Sequence, residues 1–285
     1  MKYLLLILVL SASALADVTQ DYAVRAIQER WTFDYKVPEH AFATGLVRKH
    51  VVVPGSGGSV TPLVNIPTHF DLTPSLTPVK NQGQCGGCWA FAIVGAIENF
   101  PFVGKSSAVS LSEQNMIDCD NQSYGCGGGY FDGFDYAEQS GLASEQAYPF
   151  QGYNGSCQQA SPAAKVVSWA FVSGSEETQP TADQIKTALM QSQAPVTVGI
   201  DATGEFMSYN GGVFNACGGS DINHMVDIVG WDDTDQDWIV RNSWGTSWGE
   251  NGYFRILRTD SQGNNCNGIA SVAGYVTNAT LESNR

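Results

Sequence analysis

A chain of 285 residues with 43% hydrophobic and 11% aromatic content is long enough for one large domain plus an accessory segment, and too apolar for a disordered protein. Lys and Arg number 14 against 28 for Asp and Glu, a formal charge of −14, and no basic run or stripe breaks that balance. Nucleic acid and anionic membrane are therefore poor partners, and the acidity itself reads as solubility.

Lys2 is followed by an apolar run from Tyr3 to Leu10, then by small residues ending in Ala14-Leu15-Ala16 before Asp17. This is the layout of a secretory signal peptide over residues 1–16. The run is too short to cross the roughly 30 Å hydrocarbon core of a bilayer, and no later stretch is long and apolar enough, so no membrane span is expected. The chain is expected in the secretory pathway, bound for a lysosome or vacuole or for the exterior.

Residues 17–65 differ in character. They hold Trp31, Phe33, Tyr35 and Phe42, the basic pair Arg48-Lys49, and the glycine-rich run Gly55-Ser56-Gly57-Gly58-Ser59, which reads as a linker that is easily cut. Such a segment ahead of a reactive thiol reads as a propeptide; the alternative is an N-terminal subdomain kept in the mature protein. From 66 to about 170 the pattern is mainly helical. Trp89 to Phe100 is apolar on nearly every face, as in a helix buried on all sides, and Pro101 ends it. Ser110-Leu111-Ser112-Glu113 has a capping-box pattern before a short helix running to Cys119. Phe131, Phe134 and Tyr136 predict a third helix closed by Gly141.

Thr181 to Gln184 is a second capping-box pattern, opening a helix over Ile185 to Gln191. Beyond it, Val196 to Val198, Met225 to Val229, Asp237 to Val240 and Gly252 to Leu257 are short β-prone runs between turn residues. Helices first and strands later, from about 171 to 285, predict an α+β fold of two lobes. A cleft between them would carry Cys88 on one wall and His224 with Asn242 on the other.

Seven cysteines in an exported chain leave one over. Cys85, Cys119, Cys126, Cys157, Cys217 and Cys266 can form three bridges, with Cys88 free. An intermolecular disulfide at Cys88 is the weaker reading, because a buried helix follows it. A zinc site is weaker still, since no second close Cys or His pair accompanies Cys85 and Cys88. Cys88 follows glycines at the positive end of that helix, which favours the nucleophilic thiolate. His224 is the base: His40 and His50 lie in the expected propeptide, and His69 lies close to the expected mature N-terminus. Asn242 accepts from one imidazole N–H, Trp244 shields that bond, and a standing thiolate–imidazolium pair follows. Acyl transfer also needs donors for the developing oxyanion, here the Cys88 backbone N–H and the side-chain amide of Gln82. No metal or organic cofactor is required.

These residues resemble the papain-like, cathepsin-type cysteine peptidases. The resemblance runs from roughly Ile66 to Tyr275, through Pro78 to Cys88, Leu111-Ser112-Glu113-Gln114, Asp118-Cys119-Asp120, Gly125 to Tyr130, and Asn242 to Tyr253. It implies a helical lobe facing an antiparallel, barrel-like β lobe, and it makes Cys88 the nucleophile, His224 the base and acid, Asn242 the orienter and Gln82 the oxyanion donor. It also implies bridges Cys85–Cys126, Cys119–Cys157 and Cys217–Cys266. Gly128 and Gly129 would lie along the substrate backbone; Tyr130, Phe131, Gly199, Met225 and Val272 would line an uncharged pocket for an apolar second residue before the scissile bond, with Trp244 also at the substrate. The implied partners are protein or peptide substrates, the chain's own propeptide as inhibitor and cystatin-type inhibitors, with the enzyme a monomer.

The chain departs from the pattern in places. Gly87 replaces a usual serine or alanine, which loosens the loop, and Asn223 replaces aspartate before the histidine. Asn267 looks inserted after Cys266, and the proregion is short. No histidine-bearing insertion lies between Cys126 and Cys157, which implies an endopeptidase over a carboxydipeptidase. Asn121, Asn154 and Asn278 begin glycosylation sequons. The rival readings are a catalytically silent binding or inhibitory relative, and a peptide ligase on the same machinery.

Overall fold

The helix that begins at the free thiol, α1 (Cys88–Glu98), is buried at every residue, and its apolar sequence packs on all sides. In this computed structural model the described residues are 42–47, 57–102 and 109–282; the expected signal peptide and most of the expected propeptide lie outside them. Asn99 closes α1 by donating its side-chain amide to the Gly95 carbonyl at 2.8 Å, before Pro101.

Helix α2 (Glu113–Cys119) is capped by Ser112, whose Oγ accepts from the Asn115 N–H. The expected capping box from Ser110 to Glu113 does not form. The Glu113 carboxylate meets Lys80 at 2.8 Å, and Glu98 meets the same ammonium at 2.6 Å. A half-buried cation outcompeted an exposed backbone amide for that side chain. Helix α3 (Gly133–Gln139) ends where Gly141, at φ 73°, donates to the Ala137 carbonyl. Helix α4 (Ala182–Ser192) has the expected reciprocal box between Thr181 and Gln184, and a one-turn helix α5 spans Gly204–Met207.

Eight strands make one sheet: β1 (His69–Asp71), β2 (Ala164–Phe171), β3 (Val196–Ile200), β4 (Val213–Phe214), β5 (His224–Asp232), β6 (Asp237–Arg241), β7 (Tyr253–Leu257) and β8 (Ala273–Leu281). The order is β2-β8-β3-β5-β6-β7-β4 with β1 on β5, antiparallel except for the short β4–β7 pair. This α+β arrangement matches the expected class but corrects the lobe boundary: β2 falls inside the stretch read as helical, and β1 pairs with the other lobe. The alternation of Ala164, Val166 and buried Trp169 against exposed Val167 carries the β2 signal, and β8 supplies its partner.

One apolar cluster surrounds α1, with Trp89, Phe131, Phe134, Trp169 and Phe171; the other lies within the strands, with Trp231, Trp238, Phe206 and Phe254. Burying a large apolar side chain contributes about 1.5–3 kcal/mol, so these clusters fix the lobes. Helix α1 packs on β5, which brings the start of the helix beside the start of the strand. Bridges Cys85–Cys126, Cys119–Cys157 and Cys217–Cys266 are formed, the pairing that the resemblance implies, and Cys88 is free and buried.

Candidate active site

Cys88 is the first residue of α1, where unpaired N–H groups give the helix its positive end. Across from it, His224 opens β5 in register with Ile200 of β3. Asn242 follows β6 and is held by its own N–H to the Gly252 carbonyl at 3.0 Å. Its Oδ1 lies 2.8 Å from His224 Nε2 and also accepts the Ser243 N–H at 2.8 Å. The Trp244 ring stacks on the imidazole at 4.6 Å and 25°. Asn242 and Trp244 are 3% and 2% exposed, so water does not compete for the bond. His224 Nδ1 has no hydrogen-bond partner among the described residues.

Gln82, fully buried, is held at both ends of its amide. Its Oε1 accepts Ser243 Oγ at 2.5 Å and its Nε2 donates to the Cys85 carbonyl at 2.9 Å, while its backbone N–H donates to the Ser243 carbonyl. Ser243 thus fixes the orienting asparagine and the amide donor together. Gly87 does not loosen this corner. A Cβ there would come within 3.0 Å of Ile117 Cδ1 and 3.2 Å of Cys85 Sγ, so glycine relieves a crowded turn.

Residues 42–47 run through the site. Phe42 stacks on Trp244 at 4.7 Å, and the Ala43 carbonyl accepts both Gln82 Nε2 at 3.0 Å and Trp244 Nε1 at 3.1 Å. The Gly45 and Leu46 N–H groups donate to the Asn223 carbonyl. Gly45 and Val47 exchange hydrogen bonds with Gly129 in a parallel bridge at Leu46. A Cβ on Gly45 would sit 1.8 Å from the Gly86 carbonyl oxygen, so no other residue passes that point without displacing backbone. Leu46, 7% exposed, shares a buried cluster with Tyr130, Phe131, Met225 and Val272. Its Cδ2 and Ile222 Cδ1 lie 3.1 and 3.0 Å from where a Cβ on Gly199 would project.

With this segment in place, Cys88 and His224 are both fully buried. Burial pushes the thiol up to about 12 against the opposing N–H groups of Met225, Trp89, Gly45 and Cys88 itself. Burial also pulls the imidazole down to about 4, against its bond to Asn242. Both shifts disfavour the charged forms in this covered state, whereas the sequence leads to the expectation of a standing ion pair. The physical reason is burial, which disfavours each charged form.

Of the residues singled out from the sequence, Cys88, His224, Asn242, Gln82, Trp244, Gly129, Gly199 and Met225 converge here. Gly128 lies at φ 123°, which favours glycine, and a Cβ on it would meet Val47 Cγ2 at 2.4 Å. Phe131 packs into the interior, against Phe171 at 5.4 Å and against Gly274. Ile222, Ser243 and the Asn223 carbonyl were not singled out. Ile222 and Asn223 adjoin the histidine in sequence, and that adjacency was the available signal. Asn121, Asn154 and Asn278 are exposed; Asn154 Oδ1 also accepts the Cys126 N–H at 2.6 Å. Among the described residues no acidic, His or Cys group could hold a metal ion, and no helix is long and apolar enough to cross a membrane.

A sequence profile described as papain family cysteine protease matches residues 66–277. Vignain of Ricinus communis is 40% identical over 208 residues, which are 70% of this chain and 57% of the relative, so the chain spans less than two thirds of that protein. The solved Carica candamarcensis cysteine protease CMS1MS2, in complex with E-64, is similar at TM-score 0.64 and 32% identity, over 76% of this chain and 100% of that one. The bromelain protease of Ananas comosus, in complex with the E64 inhibitor, gives TM-score 0.65 and 34% identity over the same shares.

Proposed function

The chain belongs to the papain family of cysteine proteases, and from that premise we propose that it is a secretory-pathway cysteine endopeptidase made as a zymogen, destined for a lysosome or vacuole or for the exterior. The observation that carries this reading is the constellation itself. A free cysteine sits at a helix start, a histidine is fixed through Nε2 with Nδ1 left over, and an amide donor is held by Ser243.

In the open enzyme, water returns to the cleft and the Cys88 proton passes to His224 Nδ1, giving the thiolate–imidazolium pair. The thiolate attacks the scissile carbonyl carbon. The oxyanion takes hydrogen bonds from the Cys88 N–H and from Gln82 Nε2, the amide that Ala43 occupies in this state. His224 returns its proton to the leaving amine, and a thioester remains on Cys88. His224 then deprotonates a water, which attacks the thioester and frees the acid product and the thiol. Asn242 keeps the ring in one orientation throughout. Being neutral, it suits a pair that is already charge-balanced.

The position of residues 42–47 supports the inhibitory role of the proregion. Leu46 beside Gly199 and Ile222 supports a preference for an apolar second residue before the scissile bond. Substrates are proteins or peptides.

An epoxide thiol inhibitor tests the reading. After acid conversion of the full chain it is expected to label Cys88 alone, with Cys88→Ala losing both label and turnover while staying folded. Label on another residue, or turnover without Cys88, would move the nucleophile elsewhere.

A further inference from the structure

The chain just ahead of the family-matched region is built into the β lobe. Val60 is 7% exposed and belongs to the strand-lobe cluster with Ile185, Leu189 and Val172. Its N–H donates to the Val172 carbonyl at 2.9 Å. Gln184 Nε2 donates to Ser59 Oγ at 2.7 Å and to the Val60 carbonyl at 3.0 Å, while the Oε1 of the same side chain completes the α4 capping box. Farther along, the Leu63 N–H donates to Thr187 Oγ1 at 3.0 Å, and Thr187 is fully buried. Gly174, at φ 83°, lets the turn after β2 approach: a Cβ there would lie 2.8 Å from the Ser59 nitrogen. By contrast Gly57 and Gly58 are exposed, and nothing lies within 4 Å of a Cβ on Gly58.

We propose that residues 59–65 are a permanent strap of the active enzyme, and that maturation cuts the chain N-terminal to Ser59 instead of at Ile66. The inference rests on the zymogen reading above. Hydrolysis of one peptide bond at or before Gly58–Ser59 consumes one water. It leaves a carboxylate on the released inhibitory piece and an amino group on the strap. Cutting at Ile66 would instead free a piece whose valine fills the lobe's core. Its departure would expose that core and leave the buried Thr187 hydroxyl without the Leu63 N–H. Both consequences oppose release.

The full-length chain is converted at acid pH until epoxide labelling of Cys88 is complete, and the labelled enzyme is read by N-terminal sequencing and intact mass. An N-terminus at or before Ser59 is expected; one at Val60 or later, Ile66 included, overturns the strap while leaving the peptidase reading intact. A cut chain whose Cys88 takes no label overturns both. Val60→Asn supplies a second measurement, since it should lower the melting temperature of the converted enzyme by ~4–8 °C if the strap persists. Equal melting temperatures would overturn it. Should that variant fail to fold, Thr187→Val serves: Leu63 amide exchange in the converted enzyme should quicken about tenfold once its acceptor is gone. A converted wild-type chain with no Leu63 amide left overturns the proposal.

Discussion

Two stretches ahead of Ile66 lie against the same folded body, one in the cleft at 42–47 and one on the β lobe at 59–63. The cleft stretch is held mostly through backbone: Asn223 and Gly129 take the bonds of Gly45, Leu46 and Val47, and Leu46 is its one buried side chain. It covers two ionisable groups and disfavours the charged form of each, which costs free energy whenever solvent would charge them. Among the described residues, the hydrogen bonds of the lobe stretch go to no titratable group. Val60 fills an apolar gap, and the neutral side chains of Gln184 and Thr187 take its hydrogen bonds. Under the zymogen reading, the first arrangement is the one to leave and the second the one to stay.

Glycine substitutions break this comparison most sharply. Gly45→Val puts side-chain atoms into the Gly86 carbonyl, a backbone overlap that no rotamer relieves. Overpacking of this kind costs about 1–3 kcal/mol, so epoxide labelling of Cys88 in the uncut chain should rise by about 5- to 150-fold. Gly58→Ala, with open space around it, should leave labelling unchanged. Equal effects from the two would mean that the cleft segment is not what shields the thiol.

The four chemical groups were legible in the sequence because each sits in a run whose neighbours do related work. Glycines precede Cys88 at a helix start, and Ser243-Trp244 follow Asn242 to brace it. The α4 capping box was legible for the same local reason. What escaped depended on distant partners. Glu113 has the spacing of a cap residue, yet it serves Lys80, 33 positions away. The strap escaped because it shows one valine after a glycine-rich run, and only the β lobe reveals the gap that Val60 fills. Strand β8 carries Gly274 and Asn278, which mask its pattern, and β2 lost its signal without it.

Acidity offers a second way to separate the two stretches. Cys88→Ala removes the thiol that would pair with the ring in the open enzyme; the closed state holds His224 at about 4, below its ordinary 6.5, and so binds fewer protons than a solvated ring across that interval. Stability of the closed cleft is then fully present above 6.5 and falls by about 1.4 kcal/mol per unit as the pH drops toward 4. In that variant, amide exchange at Gly45 and Leu46, corrected for intrinsic rates, should therefore be slowest above 6.5 and quicken roughly tenfold per unit below it. The Val60 and Leu63 amides should show no such profile over the same range. A shared profile would mean that one global opening releases both stretches.

The smallest effect should come from Ser243, which belongs to the cleft side alone. Its hydroxyl fixes the Gln82 amide, and that amide holds Ala43 in the closed chain and the oxyanion in the proposed reaction. Ser243→Ala leaves the Ser243 backbone bonds to Gln82 and Asn242 in place, so the imidazole keeps its orientation. Losing an oxyanion donor outright costs 100-fold or more, so loosening one should lower kcat by about 5–10-fold with KM little changed. The same variant should label about 2–3-fold faster before the cut, because the grip on Ala43 weakens. Rescue of kcat by Ser243→Thr would locate the effect in the hydroxyl. A fall in kcat accompanied by a shifted imidazole titration would instead place the damage at Asn242, and Ser243 would then act on the base.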